Sequence, residues 1–346
     1  EILKLLEACR QHSIAVVTRG AGTGLSGGAR PVAGALLVSM MRFNRILEVD
    51  EENLTALVEP GVRNLAISEA VADKGLYYAP DPSSQLACSI GGNVAENAGG
   101  VHCLKYGLTV HNIVGLKVIT IDGHVHTLGN NTLESPGYDL TALMNGSEGM
   151  LAMITEIRVR LRVKPPIVRV ILAAFDDIEQ AGNAVSTIIK AGIVPAGLEM
   201  MDGDAIKAVE DFAHAGYPLD AQAILLCELD GLEAEVNAQI ETVTALLNEQ
   251  GATEVRTSRD DQERMRFWAG RKSAFPAVGR ISPDYYVMDG TIPRAALGTV
   301  LKQIGAWSKE IGLSVANVFH AGDGNLHPLI LYNGNIPGEV EKADRK

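Results

Sequence analysis

Val17-Thr18-Arg19-Gly20-Ala21-Gly22-Thr23-Gly24-Leu25-Ser26-Gly27-Gly28 is the stretch whose reading decides the fold. Five glycines fall within nine residues, straight after an apolar run. A backbone with so little bulk over it leaves its amide N–H groups free to converge on an anion. We read it as a pyrophosphate cradle. It contains a literal G-x-G-x-x-G at Gly22, Gly24 and Gly27. A Rossmann site needs a helix directly behind that motif. The next residues are Ala29-Arg30-Pro31-Val32-Ala33-Gly34, where proline and glycine oppose a helix, and a strand follows over residues 35–40. Glu48 stands where a ribose-binding acid belongs, about 20 residues on. That keeps a nicotinamide cofactor open, but the missing helix tells against it. The expectation is a strand–loop–strand cradle.

Outward from the loop, residues 1–12 read as an amphipathic helix and residues 14–18 as a buried strand. Downstream, residues 54–59 suit a strand and 62–74 a helix closed by Gly75. Residues 79–100, from Ala79-Pro80-Asp81-Pro82-Ser83-Ser84 to Asn97-Ala98-Gly99-Gly100, contain no aromatic and no basic side chain. The plain reading is two tight turns in a crowded domain. Two glycine-rich stretches in one half of the chain favour a dinucleotide laid across both. Residues 114–121 and 124–128 flank Asp122-Gly123, a type I′ hairpin signal. His124 and His126 share a face there, better explained as solvated than as metal ligands, since no third ligand is near. Residues 138–144 suit a helix, Asn145-Gly146-Ser147-Glu148-Gly149 a small loop, and the strict alternation over 157–163 a half-buried strand. Lys164-Pro165-Pro166 breaks the pattern, so the domains are expected at 1–164 and 165–346.

The second half alternates strands (168–175, 197–201, 223–229, 254–258, 285–292, 315–320, 327–331) with helices (177–191, 204–212, 232–250, 260–272, 294–311). This predicts a mostly antiparallel sheet with helices on one face. The fold class is α+β.

Composition narrows the function. The 346 residues are 47% apolar with a net charge of −12 and no basic block, which excludes a nucleic-acid partner. Cys9, Cys88, Cys103 and Cys227 are scattered, against a disulfide framework or an iron–sulfur site and in keeping with a reducing cytosol. No apolar run approaches the roughly 20 residues of a membrane span. The chain opens inside a helical pattern without an initiator Met and closes on Glu339–Lys346 as helical turns without a stop signal, so it is expected to be part of a longer protein.

His320-Ala321-Gly322-Asp323-Gly324-Asn325-Leu326-His327 carries the chemistry. A two-residue turn at Asp323-Gly324 pairs Gly322 with Asn325, Ala321 with Leu326 and His320 with His327. Opposed Cβ atoms stand about 5 Å apart, so the imidazoles can share one divalent ion with Asn325 on the same face. The alternative is a polar hairpin whose histidines bond to backbone or to each other, and no third ligand is in sight. Among Arg264, Arg266, Arg271 and Lys272, Arg271 follows Phe267-Trp268-Ala269-Gly270 and is the choice for bidentate capture of a substrate carboxylate, although most helix arginines are simply solvated. Glu199 and Asp202 are weaker candidates, judged non-catalytic.

These motifs together resemble the FAD-linked D-2-hydroxyacid dehydrogenase branch of the vanillyl-alcohol-oxidase (p-cresol methylhydroxylase, PCMH) type flavoproteins. The resemblance runs along essentially the whole chain, with Pro80–Gly107 and Phe267–Pro293 carrying much of it. It implies a two-subdomain FAD-binding domain followed by a substrate (cap) domain of antiparallel sheet plus helices. Arg19, Gly20, Ala21, Gly22, Thr23, Gly24, Leu25 and Ser26 would hold the pyrophosphate. Pro80, Asp81, Ser84, Ser89, Ile90, Gly91, Gly92, Asn93, Asn97, Ala98, Gly99, Gly100 and Gly107 would run along the flavin side, and Glu148, Gly149 and Ile154 would complete the site. With no histidine in the glycine loop, FAD is expected to be non-covalent. The implied reaction oxidises a small 2-hydroxy acid, glycolate or D-lactate, by hydride transfer from C2 to flavin N5. Arg271 would hold the carboxylate, beside a zinc, manganese or iron ion on His320 and His327 with Asn325 next to it. Partner subunits, one of them an iron–sulfur subunit, or a membrane acceptor would take the electrons, in a cytoplasmic protein that associates peripherally with the membrane through its partners. The family's Gly-Glu-His-Gly motif, which supplies a third metal ligand and a histidine base, is not in this sequence, nor are the family's opening strands. The alternatives are a nicotinamide-dependent dehydrogenase, a non-catalytic cofactor-holding subunit and, more distantly, a metal-dependent hydrolase.

Overall fold

The computed structural model describes residues 1–130 and 137–344. The chain divides into two units, residues 1–164 and 165–346.

In the first unit, α1 (Ile2–Gln11) turns Leu6 and Cys9 inward. Strands β1 (Val16–Arg19) and β2 (Leu36–Ser39) pair in parallel, Val16 opposite Leu36. Parallel neighbours need a crossover; here it is the glycine-rich segment itself, residues 20–35, with no helix in it. Strands β3 (Ile46–Asp50), β4 (Thr55–Val58), β6 (Ile113–Ile119), β7 (Val125–Gly129) and β8 (Met153–Arg160) form an antiparallel sheet in the order β3-β4-β8-β6-β7. A ribbon of β5 (Leu76–Tyr77) and β9 (Arg162–Val163) stands apart from it. The sheet's apolar face, with Val58, Ile157 and Val159, packs with Ile67 of α2 (Asn64–Ala70) and with Ile90 and Val94 of α3 (Ile90–Glu96). Three short helices, α4 (Cys103–Tyr106), α5 (Thr109–Asn112) and α6 (Leu140–Met144), complete the unit.

Two local expectations change. The hairpin pairs Ile119 with Val125, and Thr120 N bonds to His124 O, so its loop is residues 121–123 with Gly123 at φ 87°. This is a three-residue loop, not a two-residue I′ turn. The second glycine-rich stretch holds α3 where only turns were expected. Glycine disfavours helix, but Ser89 caps the first turn by accepting from Gly92 N at 3.3 Å, and Ile90 and Val94 are buried in the core.

In the second unit, β10 (Ile167–Phe175), β11 (Gly197–Asp202), β12 (Ala223–Gly231), β13 (Glu254–Thr257), β14 (Asp284–Val287), β16 (Val315–Phe319) and β18 (Pro328–Tyr332) form one antiparallel sheet, in the order β13-β10-β12-β11-β16-β18-β14. The strand expected over 285–292 is broken after Val287, and β15 (Gly290–Thr291) pairs instead with β17 (Asn325–Leu326). The helices are α7 (Ile178–Lys190), α8 (Gly203–Ala213), α9 (Glu233–Glu249), α10 (Asp261–Lys272), α11 (Ala274–Val278), α12 (Leu297–Ile311) and α13 (Glu339–Asp344); Arg345 and Lys346, expected to continue α13, lie outside the described residues. Along β12, consecutive residues from Ala223 to Asp230 are buried. Helix α10 lies over the face that carries Glu228, while α7 and α9 also pack against β10 and β12. Both faces are therefore covered, where the sequence suggested one. The continuous apolar runs of β10 and β12, in place of alternation, are the mark of two-sided burial.

Helices α7 and α12 cross at a glycine pair: a Cβ on Gly182 would lie 2.7 Å from Gly298 N, and one on Gly298 would lie 2.9 Å from Glu179 O. A Cβ on Gly305, in the same helix, meets nothing within 4 Å. Replacing Gly by Ala in an open helix gains about 1 kcal/mol, whereas forcing a methyl into a packed contact costs about 1–3 kcal/mol. Chemical denaturation should show Gly305→Ala raising the midpoint and Gly298→Ala lowering it.

Candidate functional site

In the first unit, a cleft opens over the glycine loop and runs on past the second glycine-rich stretch. Its wall includes Gly20, Ala21, Gly22, Thr23 and Gly24 on one side, Ser84, Ser89, Gly91, Gly92, Asn93 and Ala98 on another, and Glu148, Gly149 and Ile154 on a third. The backbone N–H groups of residues 20–26 have no acceptor among the described residues. Seven successive free donors, held by a crossover with Gly22 at φ 74°, fit an anionic group. The N-terminus of α3 is not such a site: Ile90 N bonds to Val62 O, Gly91 N to Pro60 O and Gly92 N to Ser89 Oγ. The free backbone donors facing the cleft are therefore those of the loop, among the described residues. Glu48 forms an ion pair with Arg158 at 2.9 Å, so the ribose-binding role a Rossmann reading would give it is taken up by structure.

The other expected cofactor residues stand behind or beside this wall. Arg19 ends β1, with its guanidinium folded against Gly22. Leu25 is exposed, and Ser26 Oγ donates to Glu96 at 3.0 Å. Ile90 is fully buried in the sheet's core, out of a ligand's reach. Pro80 O accepts from Asn64, and Asp81 pairs with His102 at 2.9 Å. Asn97 ends α3 in the left-handed region and accepts from Val110 N. Gly99 lies against Leu108, Gly100 against the Asp81 backbone and Gly107 against His111. Part of what reads as room for a flat ligand is thus room for the chain itself. Glu96 and Cys88, which sequence reasoning did not single out, line the cleft.

The second unit assembles a charged cluster inside its sheet. Glu199 lies on β11, and its carboxylate accepts from His320 Nδ1 at 2.9 and 3.0 Å and pairs with Arg271 Nη2 at 2.6 Å. Both Glu199 and Arg271 are buried, at 1% and 4% exposure. Arg271 sits at the end of α10, which Asp260 caps and whose Trp268 indole N–H donates to the buried Glu228. Its Nε is buried and has no partner among the described residues.

The histidine hairpin turns wider than expected. His320 and Asn325 exchange backbone hydrogen bonds, and Asn317 stands opposite Pro328, so the turn is residues 321–324. His320 and His327 are diagonal, not opposed. The slip is two residues, which leaves both on one face, and their rings meet edge to face at 5.0 Å between centroids. His327 Nδ1 lies 3.2 Å from Val318 O and its Nε2 is 3.7 Å from Asp289 Oδ2; Asn325 Nδ2 donates to Asp289 at 2.8 Å. Assigned from these bonds, each imidazole carries a proton on Nδ1, so its neutral form keeps the Nε2 lone pair, the arrangement that a metal ligand needs. Among the described residues, no third His, Cys, Asp or Glu joins them. His124 is instead exposed and paired with Asp122. Burial pulls His320 down, but the Glu199 charge outweighs it and raises the imidazole above its ordinary range. Burial and the His320 charge push His327 down to about 4. Glu199 is raised by burial and lowered more by His320 and Arg271, so it stays ionised. Sequence reasoning set Glu199 aside; the signal was a carboxylate flanked by apolar residues in a strand, which must find a partner once buried.

Comparison with known proteins agrees with this picture. The profile described as "FAD linked oxidases, C-terminal domain" matches residues 164–346, and that described as "FAD binding domain" matches residues 1–129. The chain belongs to the FAD-linked oxidases. It is 62% identical over 344 residues to the glycolate oxidase subunit GlcD of Escherichia coli (strain K12), covering 99% of this chain and 69% of that one. The GlcD subunit of Bacillus subtilis (strain 168) is 40% identical over 346 residues, covering 100% and 74%. Among solved structures, p-cresol methylhydroxylase with substrate bound is similar in fold, with a TM-score of 0.78 at 17% identity over 99% of this chain and 75% of that one. FAD is the cofactor, and the PCMH-type architecture expected from the motifs is the one present.

Gly22→Ala should cost about 1–2 kcal/mol in a left-handed backbone and displace the Arg19 guanidinium. A loss of roughly tenfold in FAD affinity is expected, read from flavin per protein and from fluorescence titration. In metal-free protein, ring-nitrogen NMR should show neutral His327 protonated on Nδ1 and gaining charge only near pH 4, as burial opposes the imidazolium.

Proposed function

We propose that this chain oxidises a small 2-hydroxy acid, glycolate or D-lactate, with residues 1–164 as the FAD-binding domain and 165–346 as the substrate domain. The carrying observation is a buried arginine whose Nε has no partner among the described residues, beside two imidazoles whose Nδ1 atoms are engaged, so that their neutral forms present Nε2. A 2-hydroxy acid offers the matching groups on adjacent carbons. Arg271 holds the carboxylate through its fork of N–H donors. His320 and His327 hold a divalent ion, zinc, manganese or iron, next to the hydroxyl, and Asn325 is kept at the same place by Asp289. Such an ion, when bound, lowers the pKa of the coordinated hydroxyl. FAD, when bound without a covalent link, supplies the acceptor for the hydride from C2. In the first unit, the loop N–H groups take the pyrophosphate, and Glu148 and Glu96 offer acceptors for sugar hydroxyls. The third metal ligand and the base are assigned to the Gly-Glu-His-Gly motif that the family resemblance implies.

The similarity to a named subunit makes further subunits part of the functional protein. We assign them the onward electron transfer, through an iron–sulfur subunit, since all four cysteines here are buried and separate. No helix among the described residues is long and apolar enough to cross a membrane. A cytoplasmic location with peripheral attachment through the partners is the matching proposal.

Anaerobic mixing of the full-length holoprotein with glycolate or D-lactate should bleach the oxidised-flavin absorbance; unchanged absorbance with both acids would defeat the reading. Removing a charge-assisted bond costs about 1.5–3 kcal/mol, so Arg271→Ala should raise KM about 10- to 100-fold, and Arg271→Lys should restore little of it because the fork is lost. Turnover of the whole complex unaffected by Arg271→Ala would favour a cofactor-holding role instead.

A further inference from the structure

We infer that Glu199 is a positioning residue, a single buried carboxylate that orients both the substrate-binding arginine and a metal-binding histidine. The inference rests on the assignments of Arg271 and His320 made above. A carboxylate that served only to neutralise Arg271 would need one cation. Glu199 instead serves two donors from different elements: Arg271 Nη2 on α10 lies 2.6 Å from Oε2, and His320 Nδ1 beyond β16 lies 2.9 Å from Oε1 and 3.0 Å from Oε2. Its strand position allows this. Met200 stands opposite Phe319 and Met201 opposite Val318, so the register carries Glu199 to a place opposite His320.

Each bond fixes what its partner can still do. With Nη2 on Glu199, Arg271 is held so that Nε remains buried and unpaired, ready for a carboxylate. With Nδ1–H given to Glu199, His320 can present only the Nε2 lone pair, and a charged acceptor behind an imidazole makes it a stronger ligand. Neither partner can follow a shorter side chain. Helix α10 is pinned by the buried Phe267 and by Trp268 on Glu228, and His320 is pinned by its backbone bonds to Asn325.

The test uses the full-length FAD-loaded protein and two variants. Glu199→Gln keeps the shape but offers a neutral amide to both donors. Glu199→Asp keeps the charge but is one methylene too short to reach both. Zinc and manganese affinities are measured after chelator treatment, together with KM and kcat for the better of glycolate and D-lactate, flavin content and melting temperature. Outer carboxylate–histidine contacts typically account for about 10- to 100-fold in metal affinity. Glu199→Gln should lose metal affinity in that range and raise KM about tenfold or more, with flavin content and melting temperature near wild type. Glu199→Asp should recover one of the two affinities in part, not both. Wild-type metal affinity and KM in Glu199→Gln would overturn the inference. So would a uniform fall in flavin content and melting temperature in both variants, which marks a purely structural residue. Should Glu199→Gln not fold, Glu199→Asp carries the same comparison. A wild-type protein that binds neither metal ion overturns the metal assignment itself, and this inference with it; one that binds metal as Glu199→Gln does overturns this inference alone.

Discussion

A carboxylate inside a sheet cannot remain alone, and the second unit is built around that constraint. Glu199 sits among apolar neighbours in the middle of a strand that is buried along its whole length. Ionised, it needs hydrogen-bond donors on the spot, and a desolvated charge of this kind costs several kcal/mol unless matched. Arg271 and His320 meet that need from two directions. The pairing keeps Glu199 ionised and His320 basic, and it leaves Arg271 with donors to spare. The charges we propose for substrate recognition are thus the same ones that make the core tolerable.

The first unit answers a different constraint with backbone alone. Two parallel strands must be joined by a crossover, and the usual solution is a helix. Here the crossover is glycine-rich, and seven successive N–H groups find no acceptor among the described residues. Helix α3 lies close to them, yet its own first-turn donors are consumed by Pro60, Val62 and Ser89. The donors left over for an anion are therefore those of a loop rather than of a helix terminus. This explains why the sequence holds a G-x-G-x-x-G without the helix that normally follows it.

Much of this was legible in residue order. Proline and glycine after the loop announced the absent helix, and the repeated strand–helix pattern announced the second sheet. What escaped was set by tertiary context. Ser89 caps a helix whose Gly91 and Gly92 argue for a turn, because burial of Ile90 and Val94 outweighs a propensity cost of about 1 kcal/mol per glycine. Gly91 lies against Pro60 and Gly100 against Asp81, so composition alone could not separate glycines that admit a ligand from glycines that admit the chain. Glu199 was passed over because a single acid in a strand carries no spacing; its importance lies in partners more than 70 residues distant in sequence.

The histidine hairpin shows why a wrong register can still give a right face. Counting outward from Asp323-Gly324 assumes the tightest turn, but the chain closes four residues, 321–324, because His320 and Asn325 bond to each other. A shift of one residue would have sent the two imidazoles to opposite sides of the sheet. The actual difference of two residues preserves the face and changes only the spacing, from opposed to diagonal. Diagonal neighbours are farther apart along the strands, and the rings close that gap by meeting edge to face at 5.0 Å. The extra room also admits Asn325 beside His320, where Asp289 can hold it. Asn325 shares the histidines' face in either register, and the wider turn moves it from opposite Gly322 to opposite His320.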